Sequence, residues 1–245
     1  MPLLTSLLFF VDPDQSDRIA YLHVGRVDRA SLSQQTLMEL LIQGIENKKK
    51  ITKENCSDIE YWDRLTFDED GDVTRIDWVV FGLRGKIDLQ WLPSTVKYFQ
   101  ITFNALKGSV DLSHLPTKLE SVFLDNNSFQ GTLDLKALPG PLVTLSASRN
   151  QFSGSPCLVC LPPKLRVLML AHNSFSGSLD LTSLAAALTY LNLASNQFEG
   201  HVHFGALPDS LSMLNLSENA LLEGCVEENV SISTENTRIS RVPVD

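Results

Sequence analysis

The sequence predicts an α/β-type solenoid. Its expected form is a right-handed superhelix with a parallel β-sheet on the concave face, a mostly extended or 3-10 convex side and an N-terminal helical cap. Three observations carry this expectation. Asparagine recurs every 23 residues, at Asn104, Asn127, Asn150, Asn173, Asn196 and Asn219. Apolar columns keep the same phase around these anchors through seven copies, with no insertion. Ahead of them lies a stretch with helical rather than strand periodicity. The composition is compatible, since 245 residues at 43% hydrophobic can bury a continuous core, and 13 Gly with 11 Pro are too few for a disordered or fibrous chain.

From the N-terminus, residues 1–72 read as a capping region. Met1 to Val11 is apolar but has no basic flank and runs into Asp12-Pro13-Asp14, so a structural first element is expected rather than a signal peptide. Ser31-Leu-Ser-Gln34 can serve as a capping box for a helix over about 31–47. Its apolar face would be Leu37, Met38, Leu41, Ile42 and Ile45. Lys48 to Lys50 would then sit at the helix C-terminus, where the macrodipole favours cations. Asp68-Glu-Asp-Gly-Asp72 reads as a hairpin turn. As a calcium loop it is too short, with Val79 where the twelfth-position acid should be.

Seven repeats follow over 73–233. Eight residues before each anchor stand Val73, Val96, Leu119, Leu142, Leu165, Leu188 and Leu211; Phe81 takes the anchor place in the first copy. Further apolar columns lie five and three residues before the anchor. Two residues after it comes Leu or Phe, and then, in the first six copies, a glycine two residues later. The unit is LxxLxLxxNxFxGxLDLxxLPxx. Alternation in LxxLxL means a strand with one buried face, too short to be stable unless it stacks on the next repeat. The asparagine would satisfy backbone groups where the chain leaves the strand. The DLxxLP segments are too short and proline-broken for α-helices. Beyond Leu221 the repeat decays; Ile239 is expected to close an eighth strand, and 234–245 form a C-terminal cap or tail.

This unit resembles the leucine-rich repeat family, and its NxFxGxL segment is most similar to the plant-type and related protist subclass. It departs from that pattern in its 23-residue period and in Leu-Asp-Leu after the glycine. Trp62 followed by the hairpin resembles the N-terminal cap of plant-type repeats. The resemblance implies paired cysteines in that cap, but Cys56 stands alone with Phe67 near the second place. A missing disulfide favours a reducing compartment, so the expected location is cytoplasmic, with secretion as the alternative.

The charge excludes some functions. Acids outnumber bases 29 to 20 over the chain, yet residues 73–221 carry ten of each. The repeats therefore lack the basic surface that nucleic-acid binding needs, and no apolar run spans a bilayer. A monomer is expected. Catalytic chemistry is equally thin. Cys157-Leu-Val-Cys160 lacks two further zinc ligands and reads as free thiols, with a local disulfide or redox role as the alternative. His201 and His203 lack a third ligand, and His23 is the one plausible base in the first 60 residues. The column Asp88, Asp111, Asp134 and Asp180 is expected to make local turn hydrogen bonds. Sequons at Asn55, Asn126, Asn215 and Asn229 are read as chance, because a glycan at Asn126 or Asn215 would obstruct the ligand face. No catalytic residue, cofactor or metal site is assigned.

Function is then expected on the outward positions of the sheet, six, four and two residues before each anchor. There Val167, Tyr190 and Met213 adjoin on successive strands with Met169 beside them, and Tyr98 with Phe123 form a second group. Between the groups lie Thr144, Ser146 and Ser148. Exposed apolar patches mark interaction surfaces. The expectation is a non-enzymatic protein-binding module or scaffold that takes a protein or peptide on its concave face. The alternatives are an extracellular or cell-surface recognition protein, or coverage of the patch by the chain's own flank.

Overall fold

The structure is a computed structural model that describes residues 28–53, 58–227 and 232–242. The apolar start, His23, Cys56 and the sequons at Asn55 and Asn229 lie outside the described residues. Of the first of two compact units only residues 28–31 are described, and there Arg29–Ser31 make a 3-10 turn. The solenoid belongs to the second unit, residues 32–245.

Helix α1 covers Gln34–Leu41 and is shorter than the 31–47 expected. Its cap is Ser33, whose hydroxyl accepts from Thr36 N at 3.2 Å, whereas the Ser31 hydroxyl donates to Asp28 O. Two serines were available, and the one next to the helix caps it. The chain leaves the helix because residues 44–46 pair with the edge of a sheet. Ile45 bridges Gly85, Glu46 N donates to Arg84 O at 2.9 Å, and Lys86 N donates to Gly44 O at 2.8 Å. A Cβ on Gly85 (φ +99°) would stand 2.3 Å from Gly44 O, so only glycine permits this approach. The lysine run consequently begins a new helix, α2 (Lys49–Thr52), and does not end a long one. Lys50 Nζ donates to Phe81 O at 3.0 Å.

Leu65–Phe67 and Val73–Asp77 form the antiparallel hairpin, and its turn is closed by Asp68 N on Asp72 O at 3.0 Å. The Asp68 carboxylate accepts from Asp70 N and Asp72 N, the Asx geometry of a turn. Val73–Asp77 then starts the parallel part of a nine-stranded sheet. Tyr98–Gln100, Ser121–Phe123, Thr144–Ser146, Val167–Met169, Tyr190–Asn192 and Met213–Asn215 follow in perfect register, one per 23 residues. An eighth parallel strand is closed by Ile232–Ser233, with Ile232 opposite Leu214. Ile239 instead lies in Arg238–Val242, in a different sheet. The last turn is shorter than its predecessors, so the expected eighth-strand residue arrives early.

The segments after each anchor build a second parallel sheet of eight strands, from Arg84–Gly85 to Arg238–Val242. Between the sheets Phe129, Phe152, Phe175 and Phe198 are fully buried and stack at 6.2, 6.2 and 6.4 Å between ring centroids. The way back to the next strand is extended or 3-10, as at Leu89–Trp91 and Leu135–Ala137. Each aspartate of the expected column caps its turn: Asp88, Asp111, Asp134 and Asp180 accept from the backbone N–H two residues on, at 2.8 to 3.3 Å. Hydrogen bonds from Ser113 hold the Asp111 carboxyl below the usual carboxylate range, and those from Thr182 do so for Asp180.

The anchors join neighbouring turns. Asn173 Oδ1 accepts from Phe152 N at 3.0 Å, and its Nδ2 donates to Ala147 O in the preceding turn and to Leu170 O in its own. The same set recurs at Asn104, Asn127 and Asn150. It recurs again at Asn196 and Asn219.

Candidate functional site

The solvent face of the nine-stranded sheet carries all six side chains singled out above, each half-exposed. Strand pairing places Val167 beside Tyr190 and Tyr190 beside Met213, while Met169 pairs with Asn192. These four form one group. Tyr98 and Phe123 form the other, with ring centroids 5.5 Å apart and planes tilted by 43°. Tyr98 is further fixed by the Arg75 guanidinium, 3.5 Å above its ring, and by a hydrogen bond to Gln100. Arg75 is held in turn by Asp77 at 3.0 Å. The other Asp77 oxygen is buried and has no hydrogen-bond partner among the described residues.

The outward parity fails at some small residues. Ser146 is fully buried, although it alternates outward, because its hydroxyl turns aside to the Asp125 carboxylate. Asp125 also accepts from Ser148 N at 2.9 Å. Burial pushes the Asp125 carboxyl up, against the lowering effect of those hydrogen bonds. Thr102, Ala171 and Ala194 in the row nearest the anchors are buried as well, being too short to rise above their neighbours.

A shallow groove runs along this side of the sheet, and Phe103, Phe123, Asp125, Arg149, Met169 and His172 help to line it. Phe103, Arg149 and His172 were missed in the sequence. They belong to the column immediately before the anchor, where Val80, Phe103, Asn126, Arg149, His172, Ser195 and Glu218 all have φ between 55° and 60°. That left-handed corner turns the chain out of the strand and pushes the side chain into solvent; Phe103 is 58% and Val80 69% exposed. Left-handed backbone is unfavourable for β-branched Val80. The 23-residue phase of the column was the signal that could have found it.

Cys157, Cys160 and Cys225 are free thiols. Among the described residues no three of His, Cys, Asp and Glu come together as a metal site, and no helix is long and apolar enough to cross a membrane.

No protein-family model matches the sequence, and no curated protein matches it either. Solved structures do. Pollen Receptor Kinase 3 is 21% identical with a TM-score of 0.58, over 84% of this chain and 95% of that one. The Arabidopsis receptor kinase HAESA, solved with the peptide hormone IDA and the co-receptor SERK1, is 19% identical with a TM-score of 0.59, over 84% of this chain. The plant peptide hormone receptor RGFR1, in complex with RGF2, is 21% identical with a TM-score of 0.51, over 69% of this chain. The chain spans 42% and 28% of the lengths of the last two. At these identities the likeness shows the fold: a leucine-rich repeat solenoid with a 23-residue repeat, similar to plant receptors of that type.

Proposed function

We propose that this protein is a non-catalytic recognition module that binds an extended peptide or a protein segment across the strands of its long sheet. One observation carries the reading. Val167, Tyr190, Met213 and Met169 adjoin in register on a rigid sheet, half-exposed, where they contribute little to the core between the sheets. Tyr98 and Phe123 provide a second apolar footing, and the groove with Arg149 and His172 supplies a polar border. The site is open and flat, which suits a chain of several residues better than a small metabolite. Tyr190 is the anchor, central in its row and of a residue type that dominates binding hot spots.

Recognition at or outside the cell surface is the better-supported setting, ahead of a cytoplasmic scaffold. Its support is the fold shared with receptors that carry peptide hormones on this architecture. Protease protection of a tagged chain in intact cells separates the two settings, since only a chain displayed outside is digested.

Binding is tested by selecting peptides from a random display library on the immobilised wild-type chain. The binders are then titrated against a Tyr190→Ala, Met213→Ala double variant with an unchanged circular dichroism spectrum. The selected peptides should lose at least about tenfold in affinity, the equivalent of 1.4 kcal/mol. Equal affinity for the folded variant would place the site elsewhere.

A further inference from the structure

The column of capping aspartates is interrupted twice within the repeats that end in leucine and proline, by Cys157 in the fourth and His203 in the sixth. Where Asp88, Asp111 and Asp134 stand in the first three, Cys157 stands in the fourth. Three residues on, Cys160 replaces Trp91, His114 and Ala137. The second repeat shows what these two positions do when both carry polar groups: His114 Nδ1 lies 3.5 Å from the Asp111 carboxylate. Side chains three apart in this turn therefore meet. In the fourth repeat Cys157 and Cys160 occupy these same two positions of the turn, and the neighbouring Cys157 side chain pushes the Cys160 thiol up.

The setting holds the pair in place while leaving it accessible. Leu158, between the cysteines, is buried in the core, and Pro156 and Pro162 on either side are buried too. Cys160 is exposed and Cys157 half-exposed. A turn brings Cα atoms three residues apart to within about 7 Å, which overlaps the range a disulfide can bridge.

We propose that Cys157 and Cys160 form a reversible redox site, oxidised to an intramolecular disulfide by exchange with low-molecular-weight disulfides of the glutathione type. One thiolate attacks a sulfur of the small disulfide, whose S–S bond breaks and releases one thiolate that takes up a proton. The second cysteine thiolate then attacks the protein sulfur of the mixed disulfide and expels the second small thiol. The protein dithiol loses two electrons and two protons, and the small disulfide is reduced to two thiols. Cys225 is exposed but contacts Ser240 Oγ at 3.3 Å, with no thiol among the described residues beside it, and serves as an internal reference.

The test incubates the folded full-length chain with oxidised glutathione until Cys225 carries a glutathione adduct, then blocks remaining thiols and maps the peptides by mass spectrometry. The peptide containing residues 157–160 should be internally bridged, lighter by two hydrogens, free of glutathione and restored by a dithiol reductant. The Cys160→Ser variant should retain a stable glutathione adduct on Cys157, because no second thiol can expel it. A wild-type peptide with two unmodified thiols, or with separate adducts on both cysteines, overturns the proposal.

Discussion

The interior turns and the first turn solve one problem in two ways. Wherever the chain leaves a strand of the long sheet, backbone groups are left open and need partners. In the interior an asparagine supplies them for its own turn and for the one before, as Asn173 does for Leu170 O and for Phe152 N and Ala147 O. The first turn has Phe81 at that place. Its Leu83 N and Trp78 O are still taken by Asn104 of the next turn, but the link to what precedes comes from the cap: Asn47 Nδ2 donates to Gly82 O at 2.8 Å, and its Oδ1 accepts from Arg84 N at 2.9 Å. Gln34 ties helix α1 to the hairpin in the same manner, through Gly71 O and Val73 N. Regular stacking thus needs a periodic residue, while ending a stack needs single residues of no period.

The comparison predicts where damage is greatest. Leu170 is fully buried in a column between Ala147 and Leu193, so shortening it opens a cavity that two flanking turns cannot collapse to fill. Leu170→Ala should lower stability by about 2–5 kcal/mol. Chemical denaturation gives the number, and a loss under about 1 kcal/mol would mean that interior turns relax more freely than stacked strands should.

The two asparagines sharpen the contrast directly. Asn173→Ala strands an amide and carbonyls between turns, where water has poor access, and should cost about 2 kcal/mol or more. Asn47→Ala removes bonds of similar length, but at exposed groups that water can satisfy, and should cost about 1 kcal/mol or less. Equal costs in urea denaturation would show that the cap and the ladder are energetically alike, against the distinction drawn here.

The same contrast explains what could be read from the sequence. Columns repeated seven times left no doubt about the long sheet, its buried faces and its register, because each column states its environment many times over. Single residues state theirs once. Asn47, Gln34 and Ser33 each act at a single place in the chain, so helix α1 was placed too long and capped at Ser31. The second sheet escaped notice because its strands, such as Ser128–Gly131, bury a single side chain and end at a left-handed glycine, so no apolar alternation marks them. The six outward side chains were found by parity alone. Ser146 was misread by the same parity, since alternation does not know that Asp125 will draw a hydroxyl away from solvent.

Asp125 offers the smallest expected effect and the most selective one. It lies in the regular region but outside the ladder, with its carboxylate largely buried against Ser146 and Ser148. Burial raises its pKa above the ordinary value of 3.8, so the folded protein holds the proton more tightly than the unfolded chain does. A raised carboxyl pKa means that stability from this group increases as pH falls through the folded value, and is complete below the unfolded one. At neutral pH the charged form is therefore a mild burden that its hydrogen bonds only partly offset. An amide oxygen can accept from the same Ser146 and Ser148 donors without carrying charge. Asp125→Asn should accordingly match or exceed wild-type stability at pH 7, by about 1 kcal/mol at most, whereas Asn173→Ala loses stability at every pH. As pH is lowered below the usual carboxylate range, the gain from Asp125→Asn should shrink toward zero, because wild-type Asp125 then becomes neutral too. Melting curves of the two proteins between pH 7 and pH 3 decide this. A variant that is clearly less stable at pH 7, with the gap closing on acidification, would mean that the Asp125 charge is held by its hydrogen bonds more strongly than burial penalises it.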